Sequence, residues 1–207
     1  MLVFKNFTIF SKDRIVLSVP ELSLFPGTFT YFLGENSSGK TIFLKTLCGE
    51  YKETKGEVIF KEDKLKHHWK ENNIILINND LHVIEKDTFL ENVEIPLGRI
   101  NSVQKNRLLD MASLVNIVHL FKQKMLYCSR SDKMLMYIVR TALISPSLLL
   151  IDDFDTFFDQ DKLLNVINLF HYFQKSGTMI IATGKSALDF VTTYRLWHGD
   201  IVKVVEQ

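Results

Sequence analysis

The sequence predicts an α/β fold with a mainly parallel core sheet, and three observations carry that prediction. Short apolar runs of strand type alternate with segments of helical spacing. The stretch Gly34–Thr41, GENSSGKT, has the spacing of a phosphate-binding loop and lies between a strand-type run and a helix-type one. The later run Leu148-Leu-Leu-Ile151 ends in an acidic residue, Asp152.

From the amino terminus, Val3–Phe10 and Ile15–Val19 are apolar and β-favouring around the turn Ser11-Lys-Asp-Arg14, which predicts a hairpin. Phe29–Leu33 is a third strand and runs directly into the glycine loop. Ile42, Phe43, Leu44, Leu47 and Cys48 fit a helix that Gly49 stops, and Gly56–Phe60 returns as a strand. Ile74–Ile77 is another buried-type strand. From about 85 to 145 the apolar residues recur at helical spacing (Leu108, Leu109, Met111, Ala112; then Met134, Leu135, Ile138, Val139), which predicts a helical insertion. Beyond Pro146 the pattern predicts a strand over 147–152, a helix over 161–175 stopped by Gly177, a strand over 178–183, a helix over 185–192, and a β tail from Tyr194 to Val205.

With 207 residues, 46% hydrophobic and 24% charged, the chain has the composition of one soluble globular domain that can close a core without disulfides or metals. Cys48 and Cys128 read as two small thiols in a reducing compartment. The start MLVFKNFTIF predicts no signal peptide, and no apolar run approaches the ~20 residues a bilayer requires. A net charge of +1 with dispersed lysines argues against nucleic acid as a partner, and the Lys61–Lys70 cluster, interrupted by acids, reads as a solvated face. His67-His68 lacks a further ligand at zinc spacing.

Each residue type in the loop has a task. Main-chain amides of Gly34, Glu35, Asn36, Ser37, Ser38 and Gly39 can cradle phosphate oxygens, Lys40 can reach the β and γ phosphates, and the Thr41 hydroxyl can ligate Mg²⁺. Asp152, at the carboxyl end of a neighbouring strand, supplies the carboxylate that orients water on that ion.

This order of parts resembles the ATP-binding cassette family. GENSSGKT with the following KTLCGEYKETKGEV, the helical insert, SLLLIDD, a short loop ending in Asp159 and the strand MIIAT carry the resemblance over essentially the whole chain. TFLENVEIPL and HGDIVKVVEQ look most like the FtsE-type cell-division and lipoprotein-exporter ATPases. The resemblance implies a P-loop NTPase of ABC-ATPase type, with an antiparallel β subdomain and the helical subdomain (about 85–145) inside a single domain, 1–207. It implies ATP and Mg²⁺ as ligands and an adenine stacked on Phe10, which otherwise reads as a core ring. It also implies head-to-tail dimers, with itself or a sister subunit, and an FtsX-like or exporter-like permease docked on the insert at the inner face of a membrane.

The sequence departs from that pattern at four places. The signature LSGGQ, whose glycines in the family let a helix amino terminus approach the γ-phosphate of the opposite subunit, falls on Cys128-Ser-Arg-Ser-Asp132, where only Ser129 is kept as a nucleotide-binding residue; Arg130 and Ser131 bring side chains where that close backbone approach is needed, unless Arg130 itself meets phosphate. The catalytic glutamate is Asp153, one methylene shorter, and a misplacement of about 1 Å costs on the order of a hundredfold in rate. The glutamine that links Mg²⁺ to the membrane partner falls on Asn79, with Asn78 and Asp80 as alternatives. The histidine after the strand MIIAT is absent, replaced by Gly184-Lys185. Retained binding with slow, partner-dependent ATP hydrolysis follows, or a cassette that binds ATP as a structural or regulatory clamp.

Overall fold

In the computed structural model, residues 1–69, 74–98, 100–188 and 191–204 are described. The predicted hairpin forms from β1 (Leu2–Ser11) and β2 (Arg14–Leu24). Its turn residues Lys12 and Asp13 have φ of 49° and 63°, matching the twist that a two-residue hairpin turn requires. β3 (Phe29–Leu33) leads into the glycine loop and α1 (Lys40–Leu47) leaves it. β4 (Thr54–Phe60) and β5 (Asp63–Lys64) add antiparallel strands, followed by the short α2 (Leu65–His68) and then β6 (Ile74–Ile77).

Three capped helices come next: α3 (Phe89–Glu94), α4 (Ser102–Leu114) and α5 (Arg130–Ile144). Each starts with a capping box, Thr88 with Glu91, Asn101 with Gln104 and Ser129 with Asp132, which satisfies amides that open a helix without partners. Then follow β7 (Leu148–Ile151), α6 (Gln160–Lys175), β8 (Met179–Gly184), β9 (Thr192–Trp197) and β10 (Asp200–Lys203).

The strands form one sheet in the order β5-β4-β1-β2-β10-β9-β3-β8-β7-β6. From β9 to β6 every neighbouring pair is parallel, whereas β2, β1, β4 and β5 pair antiparallel. The mixed α/β architecture is therefore the one the sequence predicts. β3, β7 and β8 are buried along their whole length because helices cover both faces, which explains why they are mostly apolar. Alternate residues serve two cores. Phe32, Leu148, Leu150 and Ile181 pack with Phe43, Leu44 and Leu47 of α1, while Tyr31, Leu149, Ile151 and Ile180 face the core shared with α3 to α6. Phe154, Phe170 and Phe173 belong to the second core, with Phe170 rings 5.0 Å from Phe29 and 5.3 Å from Phe154.

One predicted element is corrected. The helix expected over 185–192 does not form: residues 185–188 are irregular, Thr192 already belongs to β9, and 189–190 lie outside the described residues. The Asp155 carboxylate accepts the main-chain N–H groups of Lys185 and Ser186 at 2.9 and 2.7 Å and bends the chain there, and Thr192 then pairs with Thr30 of β3. The β tail splits at His198-Gly199, both at positive φ, into the β9–β10 hairpin. Val205, its predicted last residue, and Lys70 of the basic cluster lie outside the described residues.

Candidate functional site

The glycine loop is pinned where β3 ends beside β8. Leu33 pairs with Gly184, and the Gly34 N–H donates to the Gly184 carbonyl at 3.0 Å. Gly39 precedes α1 at φ 94°, a conformation that disfavours residues with a Cβ, and an added Cβ would stand 2.9 Å from Val16 Cγ1. α1 has no side-chain cap, so its positive end is left for an anion from outside the helix.

Lys40 is buried, and its ammonium donates to the carbonyls of Gly34 and Glu35 at 2.6 and 2.8 Å. Burial lowers its pKa, and the carboxylates of Asp153, Asp152 and Asp155 work against that shift. Ser38 Oγ is buried without a hydrogen-bond partner. Folded back on its own loop, the ammonium is poised to exchange two carbonyls for phosphate oxygens. The loop opens on a cavity of about 390 Å³ whose lining includes Ser11, Val16, Asn36, Ser37, Lys40, Thr41 and Asp153.

Behind the loop, β7 delivers Asp152, 4% exposed. Thr41 Oγ1 donates to Asp152 Oδ2 and Thr183 Oγ1 to Asp152 Oδ1, both at 2.7 Å. A hydroxyl and a carboxylate held in contact are hard oxygen donors suited to Mg²⁺ beside a phosphate, so Thr41 and Asp152 fit the ion. Asp153 sits at φ 48°, and its N–H donates to Thr183 Oγ1 at 3.1 Å. Asn79 Nδ2 donates to Asp153 Oδ2 at 3.3 Å, while Asn79 Oδ1 accepts from Arg130 Nη2 at 2.8 Å. The Asn79 amide oxygen, the one side-chain atom of that residue able to ligate a cation, therefore faces Arg130.

Lys40, Thr41, Asp152, Asp153 and Asn79 are thus brought together. Ser129, whose expected phosphate belongs to an opposite subunit, caps α5, its hydroxyl 2.6 Å from Asp132 Oδ2, which also accepts the Ser129 N–H at 3.0 Å. Phe10 neighbours the cavity-lining Ser11, and adjacent strand residues point to opposite faces. The Lys55 ammonium lies 5.2 Å from its ring and the Tyr51 hydroxyl donates to its carbonyl. His198 is exposed.

Sequence reasoning missed Thr183, which links both aspartates, because a threonine ending a strand carries no distinguishing pattern. It also missed what takes the space at Gly184. A Cβ there would collide with the Tyr31 hydroxyl and Asp155 Oδ1 and stand 2.7 Å from Asp155 Cγ. Tyr31 is fully buried and donates to the Ser186 carbonyl at 3.0 Å. Burial first, then the charges of Asp155 and Asp153, push its pKa upward. The one available signal was a tyrosine inside a strand whose other residues, Thr30 apart, are apolar.

A strand–glycine loop–helix anion site, with a carboxylate on the next strand but one of a parallel sheet, defines a P-loop NTPase. The sequence profile described as ABC transporter matches residues 17–155, and the chain belongs to that family. Among curated proteins it is similar to the cell division ATP-binding protein FtsE of Bacillus subtilis, 26% identical over 170 residues, covering 77% of this chain and 74% of the relative. The FtsE of Haemophilus influenzae is also 26% identical over 170 residues, covering 76% and 77%. Among solved structures, a putative ABC transporter ATP-binding protein from Pyrococcus furiosus superposes with a TM-score of 0.81 at 21% identity, covering 94% of this chain and 96% of that one. The chain is thus an ABC-type ATP-binding protein, and no described helix is long and apolar enough to cross a membrane.

Proposed function

We propose that this chain is the nucleotide-binding subunit of an ABC-type membrane complex, FtsE-like or exporter-like, peripheral on the cytoplasmic face, where it couples ATP binding and slow hydrolysis to a permease-type partner. The observation that carries the reading is the convergence of Lys40, Thr41 and Asp153 on one cavity, with Asp152 bonded to Thr41 behind it. The amides of residues 34–39, with Lys40, bind the terminal phosphates; Thr41 and Asp152 would hold Mg²⁺, which would neutralise phosphate charge. Asp153 lines the same cavity and serves as the base that accepts a proton from the attacking water. Asn79 is assigned to orienting Asp153 rather than to the metal, because its carbonyl oxygen accepts from Arg130. Adenine is assigned to the hairpin tip, against Val16 rather than Phe10, whose neighbour Ser11 is the residue that lines the cavity. The FtsE relatives make cell division the leading context, in a homodimer or beside a sister subunit.

A second reading, ATP bound as a clamp without turnover, is favoured by the amino terminus of α5. Asp132 already fills that anion-attracting end, which weakens any approach of a second subunit's phosphate. Calorimetry with Mg²⁺-ATP followed by phosphate-release assays separates the two. Binding is lost in Lys40→Ala, and turnover is lost with binding kept in Asp153→Asn. Absence of binding by the parent chain refutes both readings, and binding with a turnover unaffected by Asp153→Asn refutes the first.

A further inference from the structure

The Arg130 side chain departs from the family pattern and, although exposed, makes two contacts within its own subunit. It opens α5, and its guanidinium lies 4.8 Å over the ring of Phe157, in the segment that follows Asp153. Nη2 donates to Asn79 Oδ1 at 2.8 Å, and the same amide donates through Nδ2 to Asp153 Oδ2 at 3.3 Å. An asparagine amide has one acceptor end and one donor end. With a guanidinium on one side and a carboxylate on the other, only one orientation satisfies both; flipped, the amide would set N–H against N–H and oxygen against oxygen.

We propose that Arg130 is a positioning residue for Asp153, acting through Asn79 within one subunit. The inference rests on the assignment of Asp153 as the base. Phe157 steers the guanidinium, Arg130 fixes which end of the Asn79 amide faces the cavity, and that amide holds Asp153 Oδ2. The other carboxylate oxygen is left for water. A side chain that crowds the signature thereby supports the shorter carboxylate at 153.

The test uses the full chain with Arg130→Ala, Asn79→Ala, the double variant and Asp153→Ala. In nucleotide-free, ¹⁵N-labelled protein, the Asn79 side-chain amide signals, identified by their loss in Asn79→Ala, shift in both Arg130→Ala and Asp153→Ala. With Mg²⁺-ATP, Arg130→Ala lowers kcat about tenfold while KM stays within about twofold, and the double variant is no slower than either single one, as expected for residues that act in series. Asn79 signals unmoved by Arg130→Ala overturn the proposal, as do additive losses in the double variant or an effect confined to KM. If the parent chain binds Mg²⁺-ATP without turnover, the assignment of Asp153 as base fails while the amide signals still decide whether Arg130 orients Asn79.

Discussion

Replacing Gly184 by alanine isolates the rearrangement at the end of β8. Gly184 is not at positive φ, so its backbone accepts a Cβ. Reducing the freedom of the unfolded chain alone would then stabilise the variant by about 0.4–1 kcal/mol. The packing argues the reverse. The new methyl carbon would stand 2.7 Å from Asp155 Cγ, against a comfortable carbon–carbon separation of about 3.5–4.0 Å, and would overlap the Tyr31 hydroxyl. Asp155 cannot retreat without loosening its hydrogen bonds to the Lys185 and Ser186 amides, and Tyr31 is locked under the sheet. Overpacking of this kind costs about 1–3 kcal/mol. Set against that gain, a net loss of about 1–2 kcal/mol lowers Tm by roughly 2–8 °C in a chain of this length. Thermal unfolding followed by circular dichroism measures it. Tyr31→Phe alone loses a hydrogen bond worth about 1 kcal/mol, but combined with Gly184→Ala it removes one of the two collisions, so the pair is less destabilising than the sum. A Tm for Gly184→Ala equal to or above the parent's, or strict additivity with Tyr31→Phe, refutes the reasoning.

Three further outcomes are expected. Ser129→Ala removes the cap of α5 and half of its box with Asp132, costing about 1 kcal/mol and about 2–4 °C in Tm, while calorimetric affinity for Mg²⁺-ATP is unchanged because Ser129 caps its own helix rather than touching the loop. Asp152→Asn weakens the nucleotide in the presence of Mg²⁺ far more than in excess EDTA, since it removes charge from the Thr41–Asp152 pair; equal losses in both conditions would exclude Asp152 from the ion. Burial pushes the Cys48 and Cys128 thiols above their ordinary range, so their thiolate fraction at a given pH is smaller; both are alkylated at pH 8 more slowly than a free thiol, and the rate rises as pH increases.

What the sequence revealed divides by range. The phosphate loop was legible because its parts are contiguous: Lys40 bonds carbonyls only five and six residues away, so spacing alone encodes the geometry. Asp152 was legible because a fully buried strand ending in a carboxylate is a local pattern. The helix predicted over 185–192 failed because the chain there answers to Asp155 and to β3, both distant in sequence. The same holds for the partners of Asp153. Asn79 lies 74 residues from Asp153 and 51 from Arg130, and no periodicity connects them. For Phe10, residue type suggested a ring for adenine, whereas strand alternation directs its neighbour Ser11 to the cavity.

That division bears on how such a site diverges. The phosphate loop is one short segment, and Lys40 is held by that segment's own main-chain carbonyls. The groups that the proposed mechanism sets around the attacking water come from four separate segments, the ends of β6, β7 and β8 and the start of α5, at the four places where the sequence reading expects departures from the family pattern. The departures are not independent vacancies. Arg130 occupies the oxygen of Asn79, and Tyr31 with Asp155 occupies the volume at Gly184. Each altered position is therefore packed or bonded by another residue of the same chain. A single reversion, Gly184→His included, must displace Tyr31 and Asp155 before its ring can reach the cavity, so it costs stability and does not raise turnover unless those two positions change with it.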